Sequence, residues 1–152
     1  MDAIREVADI KNVGVRLNPS LNGIMGIAVD DETIATYDYI IKRLNDYDLA
    51  YIHLIEPFTD VTGNDNAIQQ VAKHFRQLYQ GTIIINRAFN KETATQVLED
   101  GDADLVSFGV PFIANPDLVE RFKTDSALNI PDQETFYTPG EKGYTDYPFL
   151  NK

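Results

Sequence analysis

The chain has 152 residues, with 13 lysines and arginines against 24 aspartates and glutamates, a formal net charge of −11, two histidines and no cysteine. That acidic surplus excludes long tracking along nucleic acid and disfavours an anionic membrane surface, because both need clustered basic groups. Without cysteine there are no disulfides, thiolate nucleophiles or cysteine-ligated metal centres, and two histidines are too few for a histidine-rich metal site.

In chain order, "MDAIREVADI" is acidic and amphipathic, unlike a signal peptide, and no apolar run approaches the roughly 20 residues of a membrane span. A cytoplasmic protein is the expectation. "NVGVRLNP" (12–19) is a short β-branched run closed by proline and reads as a strand. After Gly23 and Gly26, the acids Asp30, Asp31 and Glu32 suit a helix N-terminus, and Ile34, Tyr37, Ile41 and Leu44 repeat at helical spacing. "AYIHLIEP" (50–57) is a second strand. Ile68, Val71, Ala72, Phe75 and Leu78 mark a second helix, with Gly81 placed to cap it.

"TIIIN" (82–86) is a third strand, apolar on both faces. Asn90 opens a third helix through Thr93, Ala94, Val97 and Leu98, stopped at Gly101. "DLVSF" (104–108) is a fourth strand followed by a Gly-Val-Pro turn, and Asn115-Pro116 has the cap and first-turn proline of a last helix. From Asp125 onward the chain is aromatic but aperiodic, and is expected to be an ordered extension.

Alternating strands and helices predict an α/β fold with parallel pairing and right-handed crossovers. Two architectures fit: a small open doubly wound sheet, or four units of a (β/α)8 barrel. A whole barrel needs about 250 residues, so this chain could supply only half of one. A half barrel exposes two strand edges and an apolar inner face, and self-association is one remedy.

Ligands in either architecture gather at the C-terminal ends of the strands. There stand Arg16, Glu56, Arg87 and Gly109. Arg16 faces a ligand or pairs with a carboxylate such as Glu56. Arg87 binds an anion or is a solvated loop arginine. Gly109 lets backbone amides approach a phosphate. Glu56 is a general base or an ordinary ion-pair partner. His53 reads as packed and hydrogen-bonded, and His74 as a surface residue of the second helix. Ser20 and Ser107 lack a nucleophile elbow, and neither a Walker sequence nor G-x-G-x-x-G occurs. The residues form a binding frame with no convincing catalytic set.

The stretches "GVRLNPS", "LAYIHLIEP", "DADLVSFGVPFIANPDLVERF" and "FYTPGEKGYTDYPFL" resemble the C-terminal half of old yellow enzyme-type, FMN-dependent ene-reductases, the N-ethylmaleimide reductase group of the NADH:flavin oxidoreductases. The resemblance runs through nearly the whole chain in order. It implies a (β/α)8 barrel, here strands five to eight as a half barrel over 1–124, with a C-terminal extension over 125–152 packed on the same domain. It implies FMN at the strand ends, reduced by NAD(P)H and passing hydride to an activated alkene. Arg16 stands at the arginine that contacts the flavin edge, where a cation favours the anionic reduced ring. Gly109 stands at the glycine whose amide faces the FMN phosphate, and Tyr137 at the aromatic residue flanking the flavin and substrate entrance.

Two departures accompany the match. The family usually has Gly-Arg in its last phosphate loop, and here the second position is Val110. A missing charge-assisted contact costs roughly 1.5–3 kcal/mol, about tenfold or more in affinity. The preceding loop, commonly glycine-rich, reads "INRAFN", and Arg87 is a candidate to restore the charge. The family's proton-donating tyrosine and substrate-binding histidines belong to the first four strands, outside the matched half. The expectation is therefore an ene-reductase-like module with weak or lost FMN binding and no turnover of its own, working as a homodimer or with a complementing half-barrel chain. The alternative is a non-catalytic interaction or structural protein that has lost the flavin.

Overall fold

The computed structural model describes residues 1–150. They form two compact units, one over Met1–Ser107 and one from Phe108 onward.

The first unit holds a four-stranded parallel sheet of β1 (Gly14–Leu17), β2 (Tyr51–Ile55), β3 (Ile83–Asn86) and β4 (Leu105–Ser107), ordered β1-β2-β3-β4. A short α1 (Asp2–Arg5) precedes the sheet; α2 (Thr33–Leu44), α3 (Val71–Arg76) and α4 (Lys91–Glu99) connect its strands. When parallel strands follow one another in sequence order, right-handed crossovers place every connecting helix on the same face. A doubly wound sheet needs a reversal of strand order to cover both faces. The sequential order observed here is the barrel arrangement.

Side-chain alternation makes the difference between the faces visible. Val15, Leu17, Ile52, Leu54, Ile83, Ile85 and Val106 pack into one core with Ile41, Leu44, Val71, Ala72 and Phe75 from the helices. Fully buried apolar side chains such as Phe75, Ile52 and Ile83 each contribute about 1.5–3 kcal/mol relative to exposure. On the opposite face lie Gly14, Arg16, Tyr51, His53, Ile55, Ile84, Asn86, Leu105 and Ser107, of which only Ile55, at the end of β2, is buried. Tyr51 is 37% exposed and Leu105 53%, so large apolar groups meet water there. Ile84, between them in the sheet, is only partly buried. Tyr51 lies across the missing side chain of Gly14, where a Cβ would come into hard contact with the ring.

Local signals set both ends of α4, and three expected signals elsewhere are exceptions. Asn90 and Thr93 form a reciprocal capping box at the start of α4. Gly101, at φ 73°, ends that helix, with the Asp102 amide bonded to Val97 O and the Gly101 amide to Leu98 O, a Schellman closure. Gly81, in contrast, caps nothing. The second helix ends at Arg76, whose guanidinium gathers the carbonyls of Tyr79 and Gly81 and the carboxylate of Asp104. Ile68 lies before that helix, its amide and carbonyl both bonded to Ser20 Oγ at 2.9 and 2.8 Å.

The third exception is in the second unit. The expected Gly-Val-Pro turn is a short helix, α5 (Val110–Ala114), and the last helix, α6 (Leu118–Lys123), begins after Asp117 rather than at Pro116. Asn115, fully buried, is engaged in tertiary bonds instead of a cap. Its Oδ1 accepts the Asn129 amide at 2.7 Å and its Nδ2 donates to Pro111 O at 2.9 Å. The segment beyond α6 is fastened to it by Arg121, which donates to Asp117, Ala127 O and Pro148 O. The Leu150 amide adds a bond to Asp117.

Candidate functional site

Among the described residues no helix is long and apolar enough to cross a membrane and no group of three acidic, histidine or cysteine side chains could hold a metal. The polar groups that remain to be explained stand mainly on the uncovered face of the first unit.

Arg16 is exposed in β1, in register with His53 of β2. Among the described residues its guanidinium has no hydrogen-bond or ion-pair partner. The core pairing with Glu56 does not form, because the Glu56 carboxylate accepts the amides of Val71 at 2.8 Å and Ala72 at 3.1 Å, at the start of α3. Burial pushes the Glu56 carboxyl above its usual range, against those two amides, which lower it; the nearby Asp102 charge raises it further. Glu56 is thus a helix-anchoring group, neither a free base nor an ion-pair partner.

His53 is packed and hydrogen-bonded, as its strand position predicts: Nε2 lies 3.0 Å from Ser107 Oγ. The bond crosses β3 from β2 to β4. Asn86 on β3 donates to Ser107 O at 2.7 Å beside it. Burial, then the charge of Arg16, depress the imidazole pKa. His74 is a half-buried residue rather than a surface one, with Nε2 2.6 Å from Asp38 Oδ1.

Arg87 follows β3 with φ 97°, and Ala88 has φ 55°. Two consecutive residues therefore hold the left-handed backbone that glycine adopts without strain. The guanidinium is partly exposed but not free: Nε donates to Pro57 O at 2.9 Å, Nη2 donates to Phe58 O at 2.5 Å, and the group lies 4.0 Å from the Phe58 ring centroid. It latches the loop after β3 to the loop after β2. This latch was not legible in sequence, because nothing local to Arg87 names carbonyls thirty positions away. A cleft of about 470 Å³ opens between α3 and α4, bounded by Glu56, Lys73, Arg87, Phe89, Val97 and Asp102.

In the second unit Gly109 precedes α5 with φ −95°, and a Cβ built there would meet nothing within 4 Å. The space beside its backbone is open. Val110 next to it is 42% exposed. Tyr137 is 97% exposed with φ 64°, its amide bonded to Tyr144 Oη.

A sequence profile of the NADH:flavin oxidoreductase / NADH oxidase family matches residues 1–129. The chain belongs to that family. Putative 12-oxophytodienoate reductase 5 of Oryza sativa subsp. japonica is 38% identical over 154 aligned positions, covering all of this chain and 41% of the relative. 12-oxophytodienoate reductase 1 of the same plant is 36% identical over 40% of its own length. Among solved structures, morphinone reductase superposes with a TM-score of 0.85 at 43% identity, over 98% of this chain and 39% of that one. The old yellow enzyme from Trypanosoma cruzi gives 0.80 at 38% identity, over 91% and 35%.

The sequence therefore spans about two fifths of the length of these relatives. Together with the sequential parallel sheet, this is the half-barrel α/β fold expected, a part of the old yellow enzyme-type oxidoreductase architecture. The family is FMN-dependent with a nicotinamide reductant; one morphinone reductase structure was solved with tetrahydroNAD.

Proposed function

We propose that this chain is the flavin-edge and phosphate half of an FMN-dependent ene-reductase, a module that holds the cofactor from one side and leaves the proton donor and the substrate-binding histidines to the other half. The half barrel is taken over 1–124, with 125–152 as its extension. The observation that carries the reading is Arg16: an exposed cation on an uncovered, otherwise mainly apolar and neutral sheet face, with no carboxylate beside it among the described residues. A buried arginine needs a partner, and an unpaired one on what would be a barrel interior is suited to an electron-rich ligand edge. Gly109 supports the phosphate end, since the open space beside it suits close approach of an anion to backbone amides. Tyr137 supports an aromatic wall at the entrance. When bound, FMN supplies hydride chemistry; this chain's own residues bind it, orient it and offset its charge.

Arg87 fits less well. Its guanidinium is already engaged by two carbonyls and a ring, so a phosphate would have to compete with them. That engagement, with Val110 in place of the family's arginine, favours weak flavin affinity. It also favours a second reading, a non-catalytic interaction protein that kept the fold and lost the cofactor.

The apolar side chains of the uncovered face call for a cover, either a second copy or a chain supplying the equivalents of strands one to four. FMN titration with light scattering on the same sample tests the proposal. Expected are quenching of flavin fluorescence and a mass above the monomer. A monodisperse monomer that leaves FMN fluorescence unchanged, alone and after addition of the leading half of a relative, would establish the second reading instead.

A further inference from the structure

The row Arg16–His53–Ile84–Leu105 runs across the uncovered face in register. Neighbouring strands are about 4.8 Å apart, so the Arg16 and His53 side chains leave the sheet side by side. His53 cannot swing freely away, because its Nε2 is held by Ser107 Oγ at 3.0 Å. The groups facing it are Arg16 from β1, Ile84 and Asn86 from β3, and Ser107 from β4, with Tyr51 and Ile55 on its own strand. None is a carboxylate. A proton added to the imidazole therefore gains no counter-charge from the sheet and meets one like charge, Arg16.

We propose that His53, pinned by Ser107, governs the charge presented at Arg16: neutral, it leaves the guanidinium as the one cation of this row, and protonated, it creates a two-cation site that holds a planar anion more tightly. His53 thus supplies a second, protonation-dependent charge beside Arg16. The inference rests on the reading of Arg16 as a ligand-facing group, and it adds a proton to ligand capture. By linkage, an anion that binds better to the protonated form must raise the histidine's affinity for that proton by the same factor. The depression of the His53 pKa by burial and by Arg16 agrees with the missing counter-charge.

The test follows the two histidines of the intact chain by nitrogen-15 NMR from pH 5 to 8, with and without benzenesulfonate, a planar anion that does not titrate in this range. His53→Gln assigns the resonances. Arg16→Gln is expected to raise the His53 midpoint, and benzenesulfonate to raise it in the parent chain but not in Arg16→Gln. Binding to the parent chain is expected to be tighter at pH 5 than at pH 8 on the order of fivefold, with the ratio near one in His53→Gln. Should that variant misfold, Ser107→Ala replaces it, with the ratio expected to shrink as the ring is released. A His53 midpoint indifferent to Arg16→Gln, no binding of benzenesulfonate at any pH, or an undiminished ratio in the variants would overturn the proposal. Failure to bind FMN alone would count against the flavin reading and leave the Arg16–His53 linkage to stand on its own.

Discussion

The carboxylate of Glu56, at the end of β2, accepts the amide hydrogens of Val71 and Ala72 and so anchors the first turn of α3 to the sheet. Those amides are among the donors a helix start leaves without intrahelical partners. Glu56→Ala is expected to destabilise the chain by about 1–2 kcal/mol, read from chemical denaturation. The carboxyl is also held above its usual range by burial, so the folded state binds its proton more tightly than the unfolded state. The associated stability is complete below the usual carboxylate pKa and falls as pH rises through the raised value. Glu56→Gln carries no such charge. Its melting temperature should decline less than the parent's between about pH 4.5 and 7, and parallel pH profiles would contradict the burial argument.

Arg87 carries two opposing effects. Its side chain contributes two carbonyl bonds and a ring contact, while its backbone sits at φ 97°. Arg87→Ala loses the contacts and keeps the strain; Arg87→Gly loses the contacts and relieves the strain. Both should be less stable than the parent, with the glycine variant less affected by about 1 kcal/mol. Equal losses in urea denaturation would show that the backbone stores nothing.

Arg121 is 4% exposed and joins Asp117, Ala127 and Pro148. Removing one partner of a buried ion pair strands the other. Arg121→Met should lower the melting temperature by roughly 5–10 °C and make the segment after α6 sensitive to protease. The Arg121 hydrogen bond, then the Leu150 amide, hold the Asp117 carboxyl below its usual range. That contribution is present above the usual aspartate pKa and lost as pH falls through the depressed value, so acid should release the same segment. Proteolysis confined to other sites at low pH would argue otherwise.

Gly143 combines φ 79° with a neighbour that leaves no room: a Cβ would come into hard contact with the buried Thr135 side chain. Gly143→Ala should destabilise the second unit by about 1–3 kcal/mol. In a double-mutant cycle, Thr135→Ala, which removes the hydroxyl nearest the added methyl, should recover part of the steric loss, leaving the backbone part intact. Full recovery would show that crowding alone matters.

The alternation of apolar runs, the acids Asp30 to Glu32, the Asn90 cap and the Gly101 stop made three of the helices and all four strands legible, because those signals are local and each acts within a turn or two. The family motifs were equally legible as strings. Gly81, Asn115 and Pro116 misled, because cap-like residues took other partners or were bypassed: the Arg76 side chain closes around Gly81 five positions on, and Asn115 is held by Asn129. Arg16 and Gly109 could be nominated from sequence, but the absence of a partner for one and the open space beside the other are relations in three dimensions.

From sequence alone came the α/β class, the order of the repeating units and the acidic charge, since composition and periodicity are properties of the chain itself; the likeness to flavin oxidoreductases came from its motif strings. Tertiary structure decided that the helices cover one face only, that Glu56 anchors a helix instead of answering Arg16, that Arg87 latches two loops, and that His53 and Ser107 meet across β3. Each of those depends on which strand lies beside which, and strand pairing is set by long-range packing that no local pattern encodes.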